Sequence, residues 1–141
     1  MTDTASFASL PAPVPRVDPD SEGFWAAAAE GTFAVCRCTQ CRTWMNPALE
    51  RCRRCGAEVA FEPVSGRGEV HSFIVVRHPA VPGFELPYVV AFVHLDEQDD
   101  LRFTAVIDAD PEAVHVGMRV LARMEPVGDS GLRYPVFDPA G

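Results

Sequence analysis

Four of the five cysteines in this 141-residue chain form two C-x2-C pairs, Cys38 with Cys41 and Cys52 with Cys55. A C-x2-C turn aims two thiolates at one point and leaves backbone N–H groups free to bond to the sulfurs. Two such turns brought together by a hairpin complete a tetrahedron around a metal ion. The spacing therefore predicts a closed four-thiolate site that stabilises the fold and leaves no position for water or substrate.

The ligand set favours Zn²⁺, because zinc suits closed tetrahedral thiolate sites and has no redox chemistry. The same set holds a single iron in rubredoxin, so the spacing alone leaves a rubredoxin-like iron electron carrier open as an alternative. Cys36 is the remaining cysteine. If Cys36 and Cys38 were the two ligands of the first half, their C-x-C spacing would be tighter than the C-x2-C spacing of the second half. We therefore expect Cys36 to be a free cysteine packed beside the cage.

Three segments precede or contain this site. Residues 1–17 are rich in proline and lack apolar periodicity, which predicts a flexible arm. Residues 18–31, "DPDSEGFWAAAAEG", predict a short helix with Phe24 and Trp25 as apolar surface that it cannot cover alone. This helix is expected to dock either on its own domain or on a partner protein. Residues 32–62 are then the zinc ribbon.

After the ribbon, apolar residues alternate with period two and turn residues separate the runs. The predicted strands are 69–78, 88–95, 101–108, 118–125 and 133–137. Five short strands within 63–141 favour an OB-fold barrel over a sandwich fragment, which would usually need more strands. The predicted fold is mainly β: an N-terminal helix, a rubredoxin-like zinc ribbon and a five-stranded OB-fold barrel.

The charge distribution bears on nucleic-acid binding. The formal net charge is −8, and all 12 basic residues are arginines. The basic residues concentrate in the cysteine segment, whereas the region after residue 63 is acidic. Phosphate binding needs a basic surface, and the strand aromatics Phe73, Phe92 and Phe103 lie in predicted strands that are rich in apolar residues. A single-stranded nucleic-acid-binding ribbon/OB module is therefore kept only as an alternative function.

No catalytic constellation is visible in the sequence. The four histidines, His71, His78, His94 and His115, lack an identified orienting partner, and no phosphate-binding glycine loop or G-x-S-x-G motif occurs. No apolar run reaches the length of a membrane span, and no secretory signal pattern is seen. Together with the clustered thiols, this predicts a non-catalytic protein of the reducing cytoplasm.

In their order, the motifs resemble the zinc-ribbon/OB-fold accessory proteins of acyl-CoA metabolism, a family long catalogued as a domain of unknown function. They are a helix with "FW", then "EGTF", "RCTQC", "RCRRCG", "SGRGEVHSF", "PGFELPYVVAFVHLD", "VGMRV" and "YPVF", over about residues 20–138. The resemblance implies a non-catalytic partner of a thiolase, a thiolase-like aldolase or a MaoC-type enoyl-CoA hydratase. Such a partner stabilises the enzyme or helps to bind and pass on acyl-CoA. Two departures stand out: Arg42 where the family usually has glycine, and "NPALER" where a proline-rich approach precedes the second pair.

Six residues are candidates for contacts with acyl-CoA or with a partner. Arginine can hold phosphate bidentately, which suits coenzyme A. Exposed aromatic rings suit an acyl chain or a protein interface, although the ring in the loop 77–87 could equally cover its own barrel. The candidates are Arg51, Arg53, Arg54, Arg77, Phe84 and Trp25.

Overall fold

The computed structural model describes residues 13–79 and 81–141. Most of the predicted proline-rich arm, residues 1–12, lies outside the described residues. The described part contains one helix and two β-sheets. Their elements are α1 (Glu22–Ala29), β1 (Ala34–Cys38), β2 (Trp44–Met45), β3 (Val59–Pro63), β4 (Arg67–Val76), β5 (Tyr88–Leu95), β6 (Arg102–Ile107), β7 (Arg119–Pro126) and β8 (Arg133–Pro139).

Helix α1 is shorter than the segment 18–31 in which it was predicted. The Ser21 backbone N–H donates to Asp18 Oδ1 at 2.8 Å, which forms a turn before the helix starts at Glu22. Gly31 ends the helix with a left-handed backbone (φ 83°), as glycine does at this position. The buried face consists of Phe24 and Ala28.

The ribbon is a three-stranded antiparallel sheet in the order β2-β1-β3. Cys36 in the central strand pairs with Met45 on one side and Phe61 on the other. The turn between β1 and β2 carries the first cysteine pair, and the turn that leads into β3 carries the second.

The remaining strands form a closed barrel in the order β4-β5-β6-β8-β7, which confirms the predicted mainly β fold with an OB-type barrel. Every strand boundary lies within two residues of its predicted position. Alternation along β5 puts Val89, Ala91, Val93 and Leu95 in the barrel core. None of the helices in the described residues has the length and apolar character that a bilayer span requires.

The ribbon is attached to the barrel through the β5–β6 turn. The Gln98 side chain accepts a hydrogen bond from the Trp44 backbone N–H at 2.9 Å and donates one to the Trp44 carbonyl at 3.0 Å. Asp100 in the same turn accepts from Arg53 at 2.8 Å. Because Gln98 bonds to the backbone much as a neighbouring strand would, these contacts hold the ribbon in one orientation on the barrel.

Candidate metal centre

The two C-x2-C turns bring four sulfur atoms together. The ligand atoms of Cys38, Cys41, Cys52 and Cys55 all lie within 4.8 Å of one another. Cys38 Sγ lies 3.4 Å from Cys55 Sγ, and Cys41 Sγ lies 3.5 Å from Cys52 Sγ. Zinc–sulfur bonds of about 2.3 Å in a tetrahedron require sulfurs about 3.8 Å apart. The cluster therefore has the size of a tetrahedral thiolate site.

The backbone around the cluster is arranged to support thiolates. The N–H groups of Gln40 and Cys41 point at Cys38 Sγ at 3.3 and 3.4 Å, and the N–H of Arg54 points at Cys52 Sγ at 3.3 Å. Such bonds favour the charged form of sulfur. Each turn then closes with a left-handed residue, Arg42 (φ 67°) after the first pair and Gly56 (φ 74°) after the second.

The thiol pKa values diverge within the cluster. The Thr43 hydroxyl, 3.2 Å from Cys41 Sγ, and the Thr43 backbone lower the pKa of Cys41 to about 6. The backbone N–H of Ala57 acts to lower the pKa of Cys55, but the neighbouring sulfur of Cys38 and burial together raise it to about 11. Several thiolates at one point repel one another, and a cation relieves that repulsion. The donor set thus fits a bound divalent metal.

Cys36 lies outside the four-sulfur group. Its side chain is 1% exposed, packs with Met45 in the ribbon core, and has Sγ 3.9 Å from the Leu49 carbonyl. Burial raises the pKa of this thiol. The structure therefore places Cys36 where it was expected, as a thiol beside the cage.

The four candidate arginines do not converge on one site. Arg53 pairs with Asp100, and Arg51 donates to the Gly56 carbonyl at 3.3 Å, so both also serve the ribbon itself. Arg54 is exposed on the same turn. Arg77 follows the far end of β4, and the length of that ten-residue strand, roughly 30 Å, separates it from the ribbon side. A single phosphate group cannot be held by this set as a whole.

The two aromatic candidates pack mainly against their own chain. Trp25 is half-buried and contacts Phe24 edge to face, with ring centroids 4.9 Å apart. Phe84 is half-buried and stacks on Tyr88 at 5.1 Å. Phe84 also forms one wall of an apolar trough of about 420 Å³ over the outer face of the barrel.

Sequence reasoning missed the polar groove beside the ribbon. This groove has a volume of about 720 Å³ and is lined by His71, Phe92, Arg102 and Thr104 among others. Phe92 is 50% exposed, because alternation along β5 turns it outward. The cross-strand partners of Phe92 are Ser72 and Thr104, not its apolar sequence neighbours. Reading the period-two pattern across paired strands, rather than along one strand, would have found this surface.

Two segments of the chain match known family descriptions. Residues 25–62 match "ChsH2, rubredoxin-like zinc ribbon domain", and residues 61–125 match "ChsH2, C-terminal OB-fold domain". A DUF35 domain-containing scaffold protein of Methanocaldococcus jannaschii is 38% identical over 104 residues, which are 68% of this chain and 72% of that protein.

Two further relatives belong to enzyme assemblies by their descriptions. A probable enoyl-CoA hydratase alpha subunit of Thermomonospora curvata is 36% identical over 130 residues, or 91% of this chain, but the match spans only 40% of that longer subunit. A chain of the solved structure described as the Ltp2-ChsH2(DUF35) aldolase superposes with a TM-score of 0.83 and 33% identity, covering 91% of this chain and 100% of that chain. These matches confirm the family resemblance that the motifs indicated.

Proposed function

The chain belongs to the DUF35 family of zinc-ribbon/OB-fold proteins, and on that premise we propose that it is a non-catalytic accessory subunit of an acyl-CoA-processing enzyme. The partner is an aldolase, a thiolase-like enzyme or an enoyl-CoA hydratase. The observation that carries the proposal is the match along nearly the whole chain to the DUF35 chain of a solved aldolase. The enoyl-CoA hydratase description of a second relative supports the same class of partner.

The histidines of the chain support a binding role rather than an acid–base role. His71, His78 and His115 are exposed, and no carboxylate in the described residues forms an ion pair with them. His94 lies 3.9 Å from Glu69 and contacts the Gln98 carbonyl, so it belongs to the ribbon–barrel junction. A general base needs both an orienting partner and a free nitrogen that faces the substrate. The three exposed histidines lack the first, and the second nitrogen of His94 is occupied by the Gln98 carbonyl.

The proposed metal is zinc, held by Cys38, Cys41, Cys52 and Cys55. A closed thiolate site supplies structural stabilisation and no Lewis-acid chemistry, because all four positions are filled by sulfur. The ribbon needs this, since the fully buried part of its own core cluster is small: three cysteines and Met45, with Val59 and Phe61 only half-buried against them. Thiolates must stay reduced to bind metal, which supports a cytoplasmic location. A red preparation with absorbance near that of rubredoxin would instead identify iron.

We further propose the division into a helix segment 18–31, a ribbon 32–62 and an OB-fold 63–141. Because Phe24 is buried against Phe103 and Tyr134, the helix docks on its own barrel. The partner contact is then assigned to the loop 77–87 and to the apolar trough beside Phe84 on the outer side of β5 and β6. Trp25 lies at the margin of this trough, because it contacts Tyr134 in the trough lining.

The proposal is tested by purifying the tagged, metal-loaded chain from its native host and identifying proteins that co-purify in equal amounts. We expect an aldolase, thiolase-like enzyme or enoyl-CoA hydratase, and we expect the recombinant pair to gain activity or thermal stability on mixing. Phe84→Ala is expected to weaken the complex, whereas Leu121→Ala serves as its control, because Leu121 is 43% exposed on β7, away from the loop. Turnover of acyl-CoA by the isolated chain would refute the non-catalytic role.

A further inference from the structure

The apolar trough beside Phe84 lies where the barrel is closed by the fewest strand pairs. Its floor includes β6 and β8, which pair at one position only, Ile107 with Phe137, whereas β8 pairs with β7 along its whole length. No further pair forms between these two fully described strands toward their N-terminal ends, and there the Tyr134 hydroxyl donates to the Thr104 carbonyl at 2.9 Å. A side chain therefore bridges a gap that the backbone ladder does not close.

The lining of the trough is largely apolar. Phe84 forms one wall, Val106 contributes a side chain from β6, and residues 126–128 at the end of β7 also line it. Among the described residues of the lining, Glu125 is the one charged side chain, and its carboxylate pairs with Arg123. The trough therefore suits an apolar, uncharged occupant.

Residues 13–17 of this chain, the resident segment, reach the trough at two prolines. Pro15 is half-buried in the lining, and the more exposed Pro13 lines the trough as well. Val14 between them is 68% exposed, and Val17 is 45% exposed. Residues i and i+2 of an extended chain lie on the same side, so the prolines face the trough and Val14 faces solvent. Valine is the residue type more often buried, and the contact therefore selects proline rather than bulk hydrophobicity.

The backbone of the resident segment is restricted before it docks. Pro13 and Pro15 have φ fixed near about −65°, and Val14 is disfavoured from the helical region by the proline that follows it. An extended chain of this kind loses little conformational freedom on binding, and grooves lined by aromatic rings recognise such chains. Phe84 and Tyr134 supply aromatic rings to the trough.

Helix α1 tethers the resident segment beside the trough. The helix begins at Glu22 and packs Phe24 against Tyr134, with ring centroids 5.6 Å apart. Tyr134 also belongs to the trough lining, so the anchor and the trough share a side chain. A short tether of this kind gives the segment a roughly millimolar effective concentration at the trough.

We propose that the trough is a recognition groove for extended proline-containing segments, and that the resident segment is its ligand within the free chain. The consequence for the accessory role rests on the proposed function, which assigns the partner contact to the same trough. A partner can then enter only after residues 13–17 have left. The segment therefore competes with the partner and lowers its apparent affinity.

Occupancy of the trough is tested by methyl NMR on the full-length, metal-loaded chain. The double variant Pro13→Ser with Pro15→Ser removes both contacts, and its matched control is Val14→Ser, which changes the exposed residue between them. We expect the methyl signals of Val106 and Val136, both in the trough lining, to shift in the double variant and to stay in place in the control. Unchanged signals in the double variant, or equal shifts in the control, would overturn the assignment.

A peptide of residues 11–19, PAPVPRVDP, tests recognition by the trough in trans. We expect it to bind the double variant and to return the methyl signals toward their wild-type positions. It should bind the wild-type chain about tenfold more weakly, because the resident segment must leave first. A control peptide with serine in place of Pro13 and Pro15 should not bind. Failure of PAPVPRVDP to bind the double variant, or equal affinity for both chains, would refute the groove. Wild-type methyl signals that move on dilution would place a second copy in the trough and refute it as well.

Affinity for the partner separates this inference from the accessory role. With the enzyme that co-purifies with the chain, the double variant should bind about tenfold more tightly than the wild type, and Val14→Ser should match the wild type. If the NMR and peptide results hold but the double variant binds the partner no more tightly, the groove stands and the trough fails as the partner contact. If the methyl signals do not change but an acyl-CoA enzyme still co-purifies, the groove fails and the accessory role stands.

Discussion

The ligand assignment at the metal centre can be tested with two single-atom changes. Cys38→Ser removes one of the four clustered sulfurs, and the hydroxyl that replaces it is a poor zinc ligand. Cys36→Ser makes the same chemical change two residues earlier on the same strand, at a thiol outside the cluster. Both side chains are nearly fully buried, so the two variants differ mainly in their relation to the metal.

The structure suggests very different costs for the two changes. A structural zinc site contributes about 10–16 kcal/mol of apparent binding free energy, so an equal share for one of four ligands is about 2.5–4 kcal/mol. That share corresponds to a loss of about 10²–10³-fold in metal affinity. Cys38→Ser also displaces the sulfur that accepts from the N–H groups of Gln40 and Cys41. Cys36→Ser buries a hydroxyl near the Leu49 carbonyl and should cost about 1–2 kcal/mol of folding stability without removing a ligand.

Metal content per chain is the direct assay, measured by mass spectrometry of the metal after dialysis against a competing chelator. We expect about one zinc ion per chain in the wild type and in Cys36→Ser, and a loss of most of the metal in Cys38→Ser. A thermal melt of each sample checks that Cys36→Ser is folded. Retention of zinc by Cys38→Ser together with its loss from Cys36→Ser would show that the cage uses a different set of four sulfurs.

Three further predictions concern the scaffold. Gln98→Ala should lower the free energy of unfolding by about 1–3 kcal/mol, because it leaves the buried Trp44 backbone groups without their partner. Hydrogen exchange checks this: the Trp44 amide should exchange faster, while the amides of the barrel core should be unaffected. Gly68→Ala should destabilise the barrel by about 1–3 kcal/mol in chemical denaturation, because the added Cβ would clash with the His94 carbonyl on β5. A variant as stable as the wild type would contradict this close packing. The bidentate contact of Arg119 lowers the pKa of Asp96 below its usual 3.8, so this pair stabilises the fold above that pH and the contribution is lost as pH falls through the lowered pKa. An acid titration should show a shallower loss of stability below pH 4 in Asp96→Asn, and identical acid limbs would refute the assignment.

The parts of the molecule that were predictable depend on local chemistry. The metal ligands could be predicted from the C-x2-C spacing, because each turn directs its two sulfurs to one point without contacts from the rest of the chain. The barrel strands could be predicted from period-two alternation, because positions that face the core, such as Val89 and Val93, must be apolar. The predicted helix segment begins too early because Asp18 and Ser21 are both residue types that favour a helix start. In the structure Asp18 instead accepts from the Ser21 N–H in a turn that precedes the helix.

The junction and the groove depend on pairings that are distant in sequence. Gln98 is an ordinary turn residue until the ribbon places the Trp44 backbone against it, 54 positions away along the chain. Phe92 likewise reads as a core residue among valines, and only the register with Ser72 and Thr104 shows that its face is polar and open. Such contacts depend on how the ribbon meets the barrel and on which strands pair within the barrel, and neither is visible in a short stretch of sequence.

The same geometry links the metal to the groove. The segment that leaves the first cysteine turn forms β2, is held to the barrel at Trp44, and continues as Asn46, whose side chain donates to the Arg102 carbonyl at 2.7 Å. Asn46 therefore lines the groove and belongs to the same chain segment that leaves the cysteine turn at Cys41. If the metal is removed, the turn after Cys41 loses its anchor, and the contact to the Arg102 backbone should loosen first. A structural zinc site would then fix the ribbon strand that forms one side of the groove, without lining the groove itself.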